Sequence, residues 1–371
     1  CLIESDKIGG TCLNHGCIPT KALIACAKVF SAAKKSSVFG IELDNLRFNF
    51  AKIQERKNKV IFQLAQGMQS RLSGIDFIKS TAQVILPHEI KIDRRLISAK
   101  FILISTGSRP VQLAELKFDK EKIISSDEAL ALSEIPSSLL VAGGGVIGCE
   151  FASLFSILGS QVTIVEKMPH LLPGEDKDVA RKIEVIFRKK AIEVLTNADI
   201  AAINARNYSR VLVCVGRAAN TAGLGLEGLG VQLENDRIVV DDYLKSSVAN
   251  IYAAGDCASK LMLAHYASYQ GRIAVENMVS NNGHKADNKV VPACIFTEPQ
   301  IASVGLKEED ACGAGLSIKV HKFDFRACPM AQIIDQADGF IKIISNQESQ
   351  EVLGASIIGP FASELIAIFC V

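Results

Sequence analysis

Apolar residues along the chain follow two spacings, which alternate several times before residue 280. Short apolar runs bounded by glycine, proline or polar residues predict buried strands. Apolar positions three or four residues apart predict helices. A strand, a helix and a second strand over 139–166 form a βαβ unit, which predicts a parallel sheet and an α/β fold. The predicted strands lie at 1–4, within 75–104, and at 139–142, 162–166, 211–215 and 251–254, and the predicted helices cover about 19–35, 48–73, 146–158 and 264–279.

The pattern changes after residue 290, where strands, turns and helices mix without βαβ order, and this predicts a separate α+β domain. In the last stretch, 352–371, Pro360 and Glu364 interrupt the apolar run before it reaches membrane-spanning length. We therefore predict an amphipathic or buried helix there. No signal or transit segment is visible. Because the first residues resemble a strand already under way and the last lie inside an apolar pattern, we expect a chain that is incomplete at both ends.

The composition limits the classes of function. For 371 residues, a prior of roughly 100–200 residues per domain predicts two or three domains. The formal net charge of +1 gives no electrostatic reason to expect nucleic acid or an anionic membrane as a partner, and the absence of Trp argues against base-stacking platforms. The 11 cysteines, an odd number mostly scattered one at a time, indicate a reducing compartment. Most are predicted to be small buried apolar residues, among them Cys149, Cys214, Cys257 and Cys294.

The segment 143–148, GGGVIG, matches a dinucleotide-binding fingerprint in the right context. It follows a predicted strand, opens a predicted helix, and is followed 18 residues after Gly148 by Glu166, at the end of the next strand. Glycines there make a tight turn, let the backbone approach a pyrophosphate and let the helix pack on the sheet. The alternative is a glycine turn in a sheet that binds nothing. The candidate ligands are Gly143, Gly145, Val146, Ile147, Gly148 and Glu166.

Glu166 also favours one coenzyme over the other. A carboxylate at this position can accept hydrogen bonds from both hydroxyls of a ribose, but it repels a 2′-phosphate. The sequence therefore predicts NAD rather than NADP.

The segment 9–21, GGTCLNHGCIPTK, contains the closely spaced cysteines Cys12 and Cys17. In a regular helix, residues five apart exceed the ~7 Å Cα separation that a disulfide can bridge. The glycine-rich approach and Pro19 predict that this stretch is not a regular helix, so the sulfurs can meet. A disulfide in a reducing compartment is expected to be reversible and catalytic. The alternatives are two inert buried thiols, or a zinc site for which only Cys12, His15, Cys17 and Cys26 are near, without a familiar spacing.

These motifs together resemble the pyridine nucleotide–disulfide oxidoreductases, and among them most closely the dihydrolipoyl dehydrogenases. The resemblance covers essentially the whole chain and rests on GGTCLNHGCIPTK, TGSRP, GGGVIGCEFA, VCVGR, IYAAGDC, MLAHYA and FTEPQIASVGL. It implies two Rossmann-like dinucleotide-binding domains, one for FAD and one for NAD, and a C-terminal α+β dimerisation domain. The implied domains are 1–120 for FAD, 121–240 for NAD, 241–288 as a return segment of the FAD domain, and 289–371 for dimerisation.

The resemblance also implies roles for individual residues. Cys12 corresponds to the thiol that exchanges with substrate, Cys17 to the thiol that faces the flavin, and Lys21 to a lysine beside the flavin that pairs with Glu150. Gly216 and Arg217 join the NAD-side candidates, and no metal ligand is expected. The implied FAD-binding residues are Glu4, Gly10, Thr11, Lys21, Ala82, Thr106, Gly107, Asp256, Leu263 and Ala264.

The activity that the resemblance implies is oxidation of protein-bound dihydrolipoamide to lipoamide, with reduction of NAD to NADH. The implied partners are a second copy of the chain and the lipoyl domain of a 2-oxo acid dehydrogenase complex or glycine cleavage system. Neither nucleic acid nor a membrane is an expected partner. The implied location is the cytoplasm of a bacterium, or the mitochondrial matrix in a eukaryote.

The chain also departs from the family pattern. It contains neither the family's FAD fingerprint before the cysteine pair nor the His-Glu pair that supplies a base from the partner subunit. The stretch 197–210 looks shortened. Alanine replaces the usual glycine at Ala82 and the usual proline after Arg217, and the usual arginine near Met330 is missing. These departures put FAD retention and activity of this chain in doubt.

Three alternatives therefore remain. Glutathione and mercuric reductases use NADPH and carry basic residues near the position of Glu166, which argues against them. A soluble transhydrogenase lacks the cysteine pair. A different class is a non-catalytic, truncated homologue that acts as a scaffold.

Overall fold

The computed structural model describes residues 1–280 and 283–371. The chain divides into two compact units. Unit 1 comprises Cys1–Pro19, Asn58–Val111 and Arg217–Asn288, and unit 2 comprises Thr20–Lys57, Gln112–Gly216 and Lys289–Val371. The four-part domain division drawn from the sequence stays a prediction.

The described residues form strands and helices in alternation. The strands are β1 Leu2–Glu4, β2 Phe77–Lys79, β3 Ala82–Leu86, β4 Glu89–Ile92, β5 Arg95–Ser98, β6 Ile102–Ile104, β7 Ser108–Pro110, β8 Ile123–Ile124, β9 Ser138–Ala142, β10 Gln161–Val165, β11 Glu193–Leu195, β12 Arg210–Val213, β13 Arg217–Ala219, β14 Leu233–Glu234, β15 Arg237–Ile238, β16 Ile251–Ala253, β17 Ala293–Ile295, β18 Gln300–Gly305, β19 Ile318–Asp324, β20 Phe340–Asn346 and β21 Val352–Gly359. The α-helices are α1 Gly10–His15, α2 Cys17–Lys34, α3 Phe50–Arg71, α4 Ser126–Leu130, α5 Val146–Ile157, α6 Lys177–Lys189, α7 Ala264–Val279, α8 Glu308–Gly313, α9 Pro329–Ile333 and α10 Ala362–Leu365.

Unit 1 is built from small sheets. Parallel pairs join β1 to β2 and β6 to β16, the strands β3, β4 and β5 form an antiparallel meander, and β7 pairs antiparallel with β13. Ile102 and Ile104 on β6 and Ile251 and Ala253 on β16 are buried in one core with Ile92 of the meander. Because β6 and β16 run parallel, their carboxyl ends meet at one edge, which brings the segments that follow them together.

Unit 2 contains a five-stranded parallel sheet with the order β11-β10-β9-β12-β8. Leu139 and Val141 of β9 face one core cluster, whereas Leu140 and Ala142 face another. A strand that is buried on both faces is typical of a parallel sheet covered on both sides. Helix α5 connects β9 to β10, which pair in parallel, so the predicted βαβ unit is confirmed.

The second sheet of unit 2 is antiparallel, with the order β17-β18-β21-β20-β19. The helix predicted for 352–371 is wrong over its first part, because Val352–Gly359 forms β21, a strand that pairs with β18 and β20. Only the last residues are helical, as α10 and a short 3-10 helix, Ile366–Cys370. A buried strand and a buried helix carry equally apolar sequences, so the apolar run alone could not distinguish them.

The cysteine segment forms two helices with a break between them. Helix α1 ends at His15, α2 begins at Cys17, and Gly16 between them has φ −139° and ψ −112°. A Cβ atom on Gly16 would lie 3.1 Å from the Thr11 carbonyl oxygen and 3.3 Å from the Cys12 Cα, so the backbone folds closely against α1 here. The prediction that 12–17 is not a regular helix is confirmed, although most of it is helical on each side of the break.

Among the described residues, one helical stretch, Gly10–Lys34, is long and apolar enough to cross a membrane by length and composition alone. Of its most apolar window, 33% is buried. Leu23, Ile24 and Ala27 contribute to the main core cluster of unit 2, as expected for a core helix.

Candidate active site

The two cysteines of the segment 9–21 lie on either side of the break at Gly16. Cys12 is in the middle of α1 and Cys17 is the first residue of α2, and both side chains are partly buried. The N-terminal end of a helix carries unpaired N–H groups and a partial positive charge, which favour a thiolate over a thiol. Cys17 is therefore in a position that stabilises a thiolate.

Three predicted FAD-side residues come together in unit 1 where β6 and β16 end. The Ala254 N–H donates to the Ile104 carbonyl at 3.0 Å, which aligns the segments that continue to Thr106, Gly107 and Asp256. A Cβ atom on Gly107 would lie 3.5 Å from Thr11 Oγ1, so α1 reaches the same edge. A glycine backbone and a carboxylate, Gly107 and Asp256, therefore follow adjacent strands at one edge, which fits an FAD site.

Ser108, the first residue of β7, forms hydrogen bonds with both Asp256 and Arg217, the first residue of β13. Its hydroxyl donates to Asp256 Oδ2 at 2.6 Å and accepts from Arg217 Nε at 2.8 Å, and its carbonyl accepts from Arg217 Nη2 at 2.7 Å. The sequence did not single out Ser108, although it lies in the TGSRP motif. The structure places Arg217 beside Asp256 in unit 1, whereas Gly216 belongs to unit 2. The NAD-side role of both residues stays a prediction.

The other FAD candidates lie at the ends of elements in unit 1. Glu4 is the last residue of β1, and its Oε1 accepts from the Asp6 N–H at 2.8 Å. Gly10 opens α1, Ala82 opens β3, and Ala264 opens α7 after Leu263. Such positions are available to a ligand because element ends leave backbone groups without partners inside the element. Their binding roles stay predictions.

The dinucleotide loop of unit 2 needs glycine at two positions for steric reasons. Gly143 has φ +105°, and a Cβ atom on it would lie 2.5 Å from the Cys214 carbonyl oxygen. A Cβ atom on Gly148 would overlap the Gly143 carbonyl oxygen. A Cβ atom on Gly145, by contrast, would meet no atom within 4 Å.

The open space at Gly145 lies at the N-terminus of α5. Gly145 is the N-cap of that helix, and Val146, its first residue, is 44% exposed, with Ile147 partly buried behind it. Free N–H groups at a helix N-terminus and room for close backbone approach are what a pyrophosphate requires. The loop therefore fits the predicted dinucleotide.

Glu166 is buried beneath this loop and is hydrogen-bonded through both oxygens. Its Oε2 accepts from the Gly144 N–H and its Oε1 from the Met168 N–H, each at 2.7 Å. A carboxylate oxygen can accept a second hydrogen bond, so ribose hydroxyls remain possible donors. The two backbone bonds fix the carboxylate at the loop, and its role toward ribose stays a prediction.

Lys21 and Glu150, predicted to pair, form an ion pair in unit 2. The ammonium donates to Oε1 at 2.9 Å and to Oε2 at 2.8 Å, and the Glu150 side chain is only 4% exposed. The Phe296 N–H donates to Oε1 at 2.8 Å, and the Phe296 ring lies 4.9 Å from the ammonium. Phe296 lies in the FTEPQ motif, but a backbone donor has no signal in sequence. The Lys21 ammonium and the Phe296 N–H therefore both stabilise the carboxylate.

The other cysteines expected to be buried divide into two groups. Cys149 and Cys257 are fully buried, and burial raises the pKa of both thiols, which disfavours the reactive thiolate form. Cys214 and Cys294 are only partly buried. Within residues 1–280 and 283–371, no group of three or more His, Cys, Asp or Glu side chains is placed to hold a metal ion.

Comparison with known proteins assigns the family. Residues 1–271 match the family model described as pyridine nucleotide-disulphide oxidoreductase. The chain belongs to this family. Residues 291–371 match the family's dimerisation domain, which supports a homodimer. The predicted fold class is confirmed, as is the prediction of an oxidoreductase that uses FAD, NAD and a redox disulfide.

Curated relatives are similar over nearly all of the chain. A dihydrolipoyl dehydrogenase from Chlamydia pneumoniae is 40% identical over 385 residues, which cover 98% of this chain and 83% of that protein. A dihydrolipoyl dehydrogenase from Bacillus subtilis is 36% identical over 400 residues, covering 99% and 84%. The crystal structure of LpdA from Mycobacterium tuberculosis superposes with a TM-score of 0.90 at 28% identity, covering 99% of this chain and 85% of that one.

Proposed function

We propose that this protein oxidises dihydrolipoamide to lipoamide and reduces NAD to NADH, through a Cys12–Cys17 redox couple and FAD. The observation that carries the proposal is the break in the helix at Gly16. Cys12 lies in α1 before the break, and Cys17 is the first residue of α2 after it. The relatives named dihydrolipoyl dehydrogenase support the choice of substrate.

The exchange with substrate takes place at the two sulfurs. A substrate thiolate attacks Cys12 Sγ, the Cys12–Cys17 bond breaks, and Cys17 leaves as a thiolate. The second substrate thiol loses its proton and attacks the substrate sulfur of the mixed disulfide, which releases the Cys12 thiolate. Two electrons have then passed from the substrate dithiol to the cysteine pair, and bound FAD and NAD supply the route by which they leave as a hydride equivalent. The net reaction is dithiol plus NAD⁺ giving disulfide, NADH and H⁺.

The start of α2, Lys21 and Glu150 support this exchange. The start of α2 stabilises Cys17 as the leaving thiolate. Lys21 follows Cys17 by one helical turn on α2, and we assign it a cationic role beside the flavin. Glu150 keeps the Lys21 ammonium oriented through two hydrogen bonds, at 2.9 and 2.8 Å.

We infer a homodimer whose substrate is a lipoyl domain of a 2-oxo acid dehydrogenase complex or a glycine cleavage system. The relatives above are bacterial, which supports the cytoplasm, and the mitochondrial matrix remains the alternative for a eukaryotic source.

Steady-state kinetics of the full-length native protein test the proposal. We expect higher kcat/KM for dihydrolipoamide with NAD than for glutathione disulfide with NADPH. Cys12→Ser and Cys17→Ser should each abolish turnover, whereas Cys312→Ser, at an exposed cysteine outside the segment, should not. Preference for the glutathione pair would refute the substrate, and a colourless protein that binds no NAD would support a scaffold instead.

A further inference from the structure

Three lysines recur at intervals of seven residues along α2. Lys21 and Lys28 lie within the helix, and Lys35 directly follows its last residue. Residues seven apart are about two helical turns apart and lie on one face of the helix. Two carboxylates from elsewhere in unit 2 bind the outer lysines: Glu150 pairs with Lys21, and Glu298 Oε1 lies 3.1 Å from Lys35 Nζ. Lys28 is the middle lysine of this row.

Lys28 lies where α2 packs against α5. It lines a narrow cavity together with Ser153 of α5, Phe296 and Glu298. The Phe296 N–H donates to Glu150 Oε1 at 2.8 Å, and the Glu298 N–H donates to Ser153 Oγ at 3.1 Å. Glu150 and Ser153 are three residues apart on α5, so they share a face of that helix. Lys28 therefore faces the segments that carry both carboxylates.

The two carboxylates differ in how many cations they bind directly. Glu298 has two lysines within 4.0 Å, at 3.1 and 3.6 Å. Glu150, whose side chain is 4% exposed, has one in the described part of the chain, Lys21. A further cation nearby therefore changes the charge balance of Glu150 more than that of Glu298.

Lys28 acts on these carboxylates by charge alone. Among residues 1–280 and 283–371, its ammonium donates no hydrogen bond and lies within 4.0 Å of no carboxylate oxygen. Burial lowers the pKa of Lys28, and the charges of Glu298 and Glu150 oppose that lowering. Charges that are partly buried still interact over several ångströms, because water and salt screen them less there.

The formal charges show what Lys28 contributes. An ionised Lys21–Glu150 pair is neutral, so by itself it presents no net positive charge to a neighbouring site. With Lys28 included, two ammonium groups face one carboxylate, and the set carries a net positive charge. Lys28 thus leaves Lys21 able to act as a cation although Lys21 is bound to Glu150.

We propose that Lys28 is a positioning residue that offsets the Glu150 charge and so lets Lys21 stabilise the reduced cysteine pair. Lys21 follows Cys17 by one helical turn, and reduction of the Cys12–Cys17 bond releases Cys17 as a thiolate. A net positive charge one turn away favours that thiolate. The proposal rests on the proposed function, because it concerns the same transfer of two electrons from the substrate dithiol and leaves its bond changes as they are.

A redox titration of the cysteine pair tests the proposal. The full-length native holoenzyme is equilibrated under argon with dihydrolipoamide and lipoamide at a series of ratios. Acid stops the exchange, and the free thiols of Cys12 and Cys17 are then labelled with N-ethylmaleimide in denaturant and quantified by mass spectrometry. We expect Lys28→Met to require about threefold more dihydrolipoamide relative to lipoamide than the wild type for half reduction, because one stabilising charge is lost. Lys28→Gln, a second neutral variant, should shift the midpoint in the same direction.

Two control variants distinguish this role from packing and from a general effect of charge. Lys28→Arg keeps the cation and should keep the wild-type midpoint. Lys34→Met removes one charge from an exposed position of the same helix and should also keep it. A wild-type midpoint in a folded neutral variant of Lys28, a shifted midpoint in Lys28→Arg, or an equal shift in Lys34→Met overturns the proposal. Bound flavin absorbance and the melting temperature verify that each variant is folded.

The same titration tests the proposed function separately. If labelling of wild-type Cys12 and Cys17 does not depend on the ratio of dihydrolipoamide to lipoamide, the pair does not exchange with this dithiol and the proposed function fails. If the wild type titrates and the Lys28 variants have the same midpoint, only the inference on Lys28 fails.

Discussion

The Lys21 ammonium lies 2.9 and 2.8 Å from the two carboxylate oxygens of Glu150, a residue 129 positions further along the chain. The carboxylate is almost fully buried, and its remaining partner is the Phe296 N–H. A buried charge that loses a directly bonded counterion costs far more than the pair contributes when intact. The pair therefore couples the geometry of α2 to the integrity of the unit 2 core.

Two substitutions at Glu150 should distinguish what its charge contributes to stability from what its hydrogen bond with the Phe296 N–H contributes. Glu150→Gln keeps an acceptor for Phe296 but removes the charge, and we expect the free energy of unfolding to fall by about 1–2 kcal/mol. Glu150→Ala leaves the Phe296 N–H unpaired and opens a cavity, so we expect a loss of about 3–5 kcal/mol. Denaturant unfolding measures both. Glu55→Gln, at an exposed position of α3, should change stability by less than about 0.5 kcal/mol. Equal stability of the Gln and Ala variants would show that the Phe296 bond contributes nothing.

Two glycines of the dinucleotide loop should respond differently to an added methyl group. Gly145→Ala meets open space and has an ordinary negative φ of −73°, so the fold should be retained, but the methyl group occupies the path of the pyrophosphate. We expect its NADH dissociation constant to rise more than about tenfold with a nearly unchanged melting temperature. Gly148→Ala forces the methyl group against the Gly143 carbonyl and should lower the melting temperature. Tight NADH binding by Gly145→Ala would exclude the loop as the pyrophosphate site.

The sequence predicted helices and strands correctly where one spacing of apolar residues persisted over many positions. Helix α7 occupies Ala264–Val279, the range that its periodicity predicted, and the βαβ unit around 143–148 is as expected. Strand β21 was missed because its stability depends on pairing with β18 and β20, which lie elsewhere in the sequence. Local periodicity contains no information about such pairings.

The candidate site also combines residues that the sequence identified with contacts that only the structure shows. The motifs identified Lys21, Glu150 and Asp256, to which we assign roles in the proposed function. They did not identify the Phe296 backbone amide, nor Ser108, which connects Asp256 to Arg217. Asp6 and His15 lie within or beside a recognised motif, but only the fold of α1 against its loop brings them together.

Removal of the Glu166 charge should weaken discrimination between the two coenzymes. The carboxylate disfavours a 2′-phosphate by charge repulsion. For Glu166→Gln we expect the ratio of kcat/KM with NAD to kcat/KM with NADP to fall about tenfold or more. Glutamine keeps one acceptor, for the Gly144 N–H, and leaves the Met168 N–H without one, so we expect a folded protein with a lowered melting temperature. An unchanged ratio would mean that the carboxylate only supports the loop.

A buried lysine of β20, Lys342, pairs with carboxylates at the start of α6, and these pairs should stabilise the fold only within a definite pH range. The Lys342 ammonium, 3% exposed, lies 2.8 Å from Asp176 Oδ2, 3.3 Å from Asp178 Oδ2 and 2.5 Å from Glu308 Oε2. Burial by itself would lower the pKa of Lys342, but hydrogen bonds to Asp176 and Glu308 outweigh it and raise that pKa above its ordinary value. Burial would raise the pKa of Asp178, but Lys322 and Lys342 lower it below its ordinary value of 3.8.

The pKa shifts of Lys342 and Asp178 set the upper and lower limits of the pH range in which these ion pairs stabilise the fold. A raised lysine pKa stabilises the fold fully below the ordinary value of 10.5 and loses this contribution as pH rises through the raised value. A lowered carboxyl pKa stabilises the fold above the ordinary value of 3.8 and loses this contribution as pH falls through the lowered value. Denaturant unfolding across pH should therefore show a plateau between these limits. Lys342→Met should lower the plateau by about 3–5 kcal/mol, because it leaves the buried Asp176 carboxylate without the Lys342 cation. Asp178→Asn should weaken the fall in the free energy of unfolding at acidic pH. Asp44→Asn, at an exposed carboxylate, should leave that fall unchanged. Equal acidic-pH curves for the two variants would contradict the role assigned to Asp178.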